Sequence, residues 1–98
     1  MVDTIEIAGT EYPVRFTLGA LAKFERKTKI NAFALSDPSK LSSEAAGFLV
    51  YCGLQAGAKV DGQELEIQFL DVLEDLTLSH VMRAFELLVQ DVPGEKKA

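Results

Sequence analysis

Residues 43–58, SEAAGFLVYCGLQAGA, constrain the fold more than any other stretch, because the only charged or amide side chain between Ala45 and Ala58 is Gln55. A helix that is apolar on nearly every face is buried. The stretch is also shorter than the roughly 20 apolar residues that a membrane span requires. The sequence therefore predicts a central helix covered by the other segments, begun by a cap at Ser42 or Ser43.

Three glycines, Gly47, Gly53 and Gly57, lie within this predicted helix. Each weakens a helix by about 1 kcal/mol relative to alanine, so their presence calls for a packing reason. Gly53 and Gly57 are one turn apart on the same face. We expect another segment, the N-terminal hairpin or the last helix, to cross this face at close range.

Two short alternating stretches around Gly9 predict a β-hairpin over residues 4–16. Pro13 has no N–H to donate, so the second strand should be an edge strand or begin near that residue. Thr17 is the expected N-cap of an amphipathic helix over 18–28, with Leu18 on its apolar side.

The second half of the chain predicts two further helices. Residues 64–76 indicate a short acidic helix, or a strand over 64–68 that leads into one, with Asp71, Glu74 and Asp75 pointing away from the apolar side. A final helix should begin after a cap at Thr77 or Ser79 and run to about Gln90. Its predicted buried residues are Leu78, Val81, Met82, Ala84, Phe85, Leu88 and Val89.

Leu87 falls among the polar residues of the last helix, beside Arg83, and is expected to be exposed. The candidate partner-binding residues are the carboxylates of the preceding helix together with Arg83 and Leu87 of the last helix: Asp71, Glu74, Asp75, Arg83 and Leu87.

The complete pattern predicts an α+β, mostly α fold, in which an N-terminal β-hairpin packs on a bundle of about four helices. Ninety-eight residues suit one domain over 1–92, followed by a flexible tail over 93–98. A domain this small buries only about 60–65% of its unfolded surface, so self-association or a partner would add stability.

Charge is unevenly distributed along the chain. Residues 60–98 carry nine Asp/Glu against three Lys/Arg, and none of the three lies between Lys59 and Arg83. This balance disfavours nucleic acid and anionic membranes and favours a protein partner with a basic surface. The N-terminus lacks the basic start and apolar run of a signal peptide, so a cytoplasmic location is expected.

Catalytic chemistry is not indicated by the residue types. Cys52 and His80 are the sole cysteine and histidine, with Cys52 expected in the core and His80 on a solvated face. That is too little for a thiol hydrolase or for a structural metal site. We therefore expect no enzyme activity, no cofactor and no metal.

Residues 5–28, IEIAGTEYPVRFTLGALAKFERKT, resemble the N-terminal signature of tail assembly chaperones of long-tailed bacteriophages and gene-transfer agents. The elements that carry the resemblance are Gly9, Tyr12 to Phe16, Leu18 to Leu21, Phe24, Glu25 and Thr28. The later order of an apolar Ala/Gly-rich helix, an acidic helix and a last helix is similar in outline. One departure is Lys29, at the position where the family pattern leads us to expect a glycine that ends the helix.

The resemblance implies a non-enzymatic protein that binds the tape measure protein and keeps it soluble while tail tube subunits assemble around it. The implied partners are the tape measure protein and the tail tube protein, in the cytoplasm of a bacterial host. The alternatives are a β-grasp (ubiquitin-like) module and a small helical interaction adaptor. The β-grasp fold would need two more strands, of which only 64–68 offers one.

Overall fold

A computed structural model describes residues 3–31 and 41–91 of the chain, with side chains described as far as Gln90. Residues 36–39, Ser-Asp-Pro-Ser, whose composition predicts a turn, and the predicted tail over 93–98 lie outside these residues. The described part is mostly helical, with one two-stranded antiparallel sheet, and confirms the predicted fold class. Its elements are β1 (Thr4–Ile7), β2 (Thr10–Pro13), α1 (Leu18–Thr28), α2 (Ser43–Val60), α3 (Phe69–Asp75) and α4 (Leu78–Asp91).

The hairpin closes through a two-residue turn formed by Ala8 and Gly9, whose φ angles are +52° and +85°. Two left-handed residues in succession are typical of the turn that matches the right-handed twist of paired strands. Both strands are edges, as Pro13 requires, but Pro13 ends β2 and does not begin it. The pairing continues beyond it, since the Val14 N–H donates to the Asp3 carbonyl oxygen at 2.9 Å.

Both ends of α1 are fixed by local hydrogen bonds. The Thr17 hydroxyl accepts from the Ala20 N–H at 3.1 Å, which confirms the predicted N-cap. At the other end Lys29 itself adopts the left-handed conformation, with φ +63°, and its N–H donates to the Glu25 carbonyl oxygen at 2.8 Å. The helix therefore ends with a residue in the left-handed conformation, which glycine usually supplies. A residue with a side chain adopts this conformation at a cost in free energy.

The central helix α2 packs against α1, α3, α4 and β2. The Ser42 hydroxyl caps it by accepting from the Ala45 N–H at 3.1 Å. Most of its length is buried, as the apolar sequence predicts.

In α1, Leu18 was expected on the apolar side of the helix. It lies in the first turn and is exposed.

The glycine face of α2 carries the predicted close crossing, and the hairpin makes it. A Cβ on Gly57 would overlap the Pro13 carbonyl group, and one on Gly53 would lie 2.8 Å from the Phe16 ring. The Gly53 carbonyl oxygen also accepts from the Arg15 N–H at 3.1 Å. Backbone and helix thus meet directly where no side chain separates them.

The segment that joins α2 to α3 is neither strand nor helix over 64–68, so the prediction of either structure there is wrong. It is held to the core by the Tyr51 hydroxyl, which donates to the Ile67 carbonyl oxygen at 2.9 Å. Within residues 3–31 and 41–91 the only strands are β1 and β2, which leaves the β-grasp alternative without its further strands.

The last helix, α4, is rotated relative to the prediction. Leu87 is 1% exposed and belongs to the core, so its predicted place on the solvated face is wrong. The opposite edge of α4 faces solvent. Leu78, Met82 and Val89 lie on it and are exposed, so their predicted burial is wrong. This helix packs on β1 as well as on α2.

Candidate partner-binding surface

Leu78, Met82 and Val89 form an apolar stripe along the outer side of α4, and the name "α4 stripe" refers to these three residues. Their exposed fractions are 71%, 49% and 57%. The spacings of four and seven residues place them on one side of a helix, with mostly buried Phe85 between them at the edge. Stripes with this spacing are the seams along which a second helix packs.

A groove begins where the α4 stripe begins. It is a depression of about 550 Å³ between the start of α2, the end of α3 and the first turn of α4. Leu78 belongs to both the groove and the stripe, which joins them into one surface. The groove is lined mainly by apolar side chains, with one acid: Leu41, Ser43, Glu44, Ala46, Gly47, Leu73, Leu76, Thr77, Leu78 and Val81.

The groove is bordered by helices that bear carboxylates. Asp71, Glu74 and Asp75 are all exposed, as predicted, on the same short helix as the groove residue Leu73. Among the described residues none of the three forms an ion pair. Glu74 and Asp75 occupy the last turn of α3, where the helix dipole disfavours negative charge, and no basic residue offsets them. These two carboxylates therefore do not stabilise α3.

Arg83, the remaining candidate, is exposed on α4 and pairs with Glu86 at 3.2 Å. Both side chains are largely in solvent, where such pairs contribute little to stability. The structure thus leaves the α3 acids and Arg83 exposed on two different helices and removes Leu87 from the surface.

His80 has a structural role that its predicted solvated position did not suggest. Its Nδ1 accepts from the Thr77 N–H at 2.9 Å, so Nε2 carries the proton and donates to the Glu6 carbonyl oxygen at 2.9 Å. The imidazole therefore caps the start of α4 and ties that helix to β1. The spacing of Thr77 and His80, three residues apart at a helix start, is the sequence signal that could have indicated this contact.

Cys52 is buried in α2, and this burial raises the pKa of its thiol to about 12, while nearby Lys23 acts in the opposite direction. A thiol that remains protonated is a poor nucleophile, because the thiolate is the reactive form. Among residues 3–31 and 41–91 there is no group of three His, Cys, Asp or Glu side chains able to hold a metal ion. No helix in the same part of the chain has the length and apolarity to cross a membrane.

A second, larger depression of about 690 Å³ lies between α1, α2 and the turn that follows α2. Its polar lining includes Lys23, whose ammonium donates to the Gln55 side-chain oxygen at 2.9 Å. This hydrogen bond bridges α1 and α2. The lining of this depression therefore includes polar side chains that link two helices, in contrast to the apolar groove.

Comparison with protein-family models, curated proteins and solved structures finds no match to this chain.

Proposed function

We propose that this protein is a tail assembly chaperone of a long-tailed phage or gene-transfer agent, acting without catalysis. In this proposal it binds the tape measure protein in the bacterial cytoplasm and keeps it soluble until the tail tube protein encloses it. The resemblance of residues 5–28 to that family supports the proposal. The predicted arrangement of a hairpin followed by helices, which the resemblance also implies, is present in the fold.

The observation that carries the proposal is the α4 stripe. A chaperone for a long helical client needs an exposed apolar surface that a helix can cover, and large side chains do not usually gather on one helix edge without a partner. From Leu78 to Val89 the stripe is about 16 Å long at 1.5 Å per residue, which matches about three turns of a client helix.

The energy of the α4 stripe alone indicates weak binding. Full burial of a Leu, Met or Val side chain contributes about 1.5–3 kcal/mol, and these side chains are only partly exposed, so together they contribute about 3–4 kcal/mol. A binding free energy of that size corresponds to a Kd of about 1–6 mM. Additional contact, in the groove at Leu78, would therefore be needed for a useful affinity.

Co-expression with the tape measure protein of the same phage tests the proposal. The chain should increase the soluble fraction of the tape measure protein and co-purify with it, whereas a Met82→Glu, Val89→Glu double variant should do neither. Both side chains are exposed, so these substitutions should leave the fold intact, which circular dichroism would verify.

The matched control is Leu18→Glu, which adds a carboxylate to an exposed leucine on α1, distant in sequence from the α4 stripe. It should behave as the wild type. If the wild-type chain has no effect on the tape measure protein, the proposed function is refuted.

A small helical interaction adaptor is the second candidate, since the α4 stripe would suit other helical partners equally well. The genes beside the coding sequence separate the two. A very long open reading frame with helical periodicity favours the chaperone, and a metabolic or signalling neighbourhood favours the adaptor.

A further inference from the structure

We propose that the free chain forms a two-fold dimer in which the α4 stripes of two copies pack against each other in antiparallel orientation. This dimer is independent of the proposed function, because any client of the α4 stripe would replace the second copy. The spacing of the apolar residues of α4, the charges beside them and the position of the groove all point to it.

The apolar residues along the outer side of α4 have a spacing that is the same in both directions. Leu78, Met82, Phe85 and Val89 are separated by four, three and four residues, which is the spacing of a coiled-coil seam. When two such helices run antiparallel, Leu78 lies opposite Val89 of the second copy, and Met82 lies opposite its Phe85. The stripe is therefore complementary to itself, as a two-fold interface requires.

The charges beside the α4 stripe are complementary in the same orientation. At 100° per residue, Glu86 and then Arg83 follow Met82 around one flank of α4. A two-fold axis between antiparallel helices places this flank of both copies on the same side of the seam. With Leu78 opposite Val89, Arg83 lies about 3 Å along the axis from Glu86 of the second copy.

Each guanidinium can then contact two carboxylates, since it already pairs with Glu86 of its own chain at 3.2 Å. The two-fold axis repeats the contact, so the interface gains two equivalent ion pairs between Arg83 of one copy and Glu86 of the other. In a parallel two-fold dimer the polar flanks would lie on opposite sides of the seam, and these pairs could not form. Charge therefore selects the antiparallel orientation.

The groove lies where the end of the second α4 would arrive. Leu78 and Val81 of α4 form one side of its lining, and Leu73 and Leu76 of α3 contribute to the rest. Because Leu78 is opposite Val89 of the second copy, the last turns of that helix reach the groove and present an apolar side chain to an apolar lining. The symmetry of the dimer places this contact at both ends of the interface.

The expected association is weak and depends on concentration. The exposed side chains of one stripe correspond to a Kd of about 1–6 mM, and in the dimer both stripes are covered. Doubling the binding free energy squares this constant, which gives a Kd of about 1–40 µM. The chain should therefore be mostly monomeric below about 0.3 µM and mostly dimeric above about 300 µM, as measured by analytical ultracentrifugation.

Disulfide trapping tests the orientation. A chain with Leu78→Cys is mixed with a tagged chain with Val89→Cys and oxidised, and the antiparallel seam should join the two variants to each other. Each variant alone should remain largely unlinked, because the two copies of either position lie about 16 Å apart along the axis. Cys52 is buried and should not react. The matched control is Leu18→Cys, at an equally exposed leucine on α1, which should link to neither variant.

Charge variants test the ion pairs between the copies. Arg83→Glu alone and Glu86→Arg alone should each weaken dimerisation about tenfold, because both equivalent pairs become repulsive. An equimolar mixture of the two variants should associate as the wild type does, since every acidic flank then meets a basic one. Arg26→Glu makes the same change in charge as Arg83→Glu on the exposed side of α1, and it should leave the dimer unchanged.

A chain that is monomeric at about 300 µM would overturn the inference, since the Kd expected from the exposed area lies below that concentration. Disulfides between two Leu78→Cys chains, or an equal effect of Arg26→Glu and Arg83→Glu, would also overturn it. Loss of this inference and loss of the proposed function are distinguishable. A monomeric chain that solubilises the tape measure protein refutes the inference alone, and an antiparallel dimer that leaves the tape measure protein insoluble refutes the proposed function alone.

Discussion

Replacing Gly57 with alanine should destabilise the protein, although the same substitution usually stabilises a helix. In the interior of α2 the alanine would gain about 1 kcal/mol of helix propensity. Its methyl group, however, would overlap the Pro13 carbonyl group and lie 2.7 Å from the Val14 nitrogen. These are backbone atoms, so no side-chain rotation relieves the contact.

Relief requires that β2 move away from α2 by about 1 Å or more, to restore ordinary contact distances near 3.5–4.0 Å. Overpacking of this kind costs about 1–3 kcal/mol. The shift would also stretch the 3.1 Å hydrogen bond from the Arg15 N–H to the Gly53 carbonyl oxygen, which contributes about 1 kcal/mol. After the gain in propensity is subtracted, the expected net loss for Gly57→Ala is about 1–3 kcal/mol.

Urea unfolding followed by circular dichroism measures this loss, and Gly19→Ala in α1 is the matched control. The nearest atom to a Cβ at Gly19 is the Thr17 hydroxyl oxygen at 3.7 Å, an ordinary contact. Gly19→Ala should therefore raise the free energy of unfolding by about 0.5–1 kcal/mol. A Gly57→Ala variant at least as stable as the wild type would refute the direct contact of the hairpin with α2.

Three further substitutions test other parts of the fold. Lys29→Gly should stabilise the protein by about 0.5–1 kcal/mol, because it removes a side chain from a left-handed residue; a lower melting temperature would contradict this. Leu87→Ala should cost about 2–5 kcal/mol, and Val89→Ala less than about 0.5 kcal/mol; equal losses in urea unfolding would mean that α4 is not rotated as described. Because burial raises the pKa of Cys52 from 9.0 to about 12, the unfolded chain loses the thiol proton first, and stability should fall by up to about 1.4 kcal/mol per pH unit between these values. Cys52→Ala should remove that part of the pH dependence, and an unchanged slope would contradict the burial of the thiol.

Much of the helical framework could be predicted from sequence because its signals are local. Thr17 and Ser42 mark the starts of α1 and α2, and both caps are present. The glycines of α2 conflicted with helix propensity, and that conflict correctly predicted a close crossing. Such features depend on residues a few positions apart, whose energetics are known without the tertiary structure.

The surface of α4 could not be predicted in the same way. Its apolar residues occupy more than half of the helix circumference, so periodicity alone cannot decide which edge is covered. In the structure His80 bonds to the Glu6 carbonyl oxygen of β1, and Leu87, seven residues further along the same edge of α4, is buried while Met82 is exposed. The hydrogen bond joins residues 74 positions apart in the chain, which local periodicity does not reveal.

The prediction of a strand or helix over residues 64–68 is wrong for a related reason. Their alternation is typical of a strand, but a strand needs a partner, and none is present beside this segment in the described part of the chain. The hydrogen bond from Tyr51 to Ile67 holds the segment in an irregular path instead.

Met82 offers the most direct test of the claim that the α4 stripe binds the tape measure protein. The chain contains two methionines, Met1 and Met82, so methionine-methyl labelling places one NMR reporter in the stripe. On titration with the tape measure protein, the Met82 methyl signal should shift and saturate. Co-elution of the two proteins with no change at Met82 would contradict the account and place the client elsewhere on the chain.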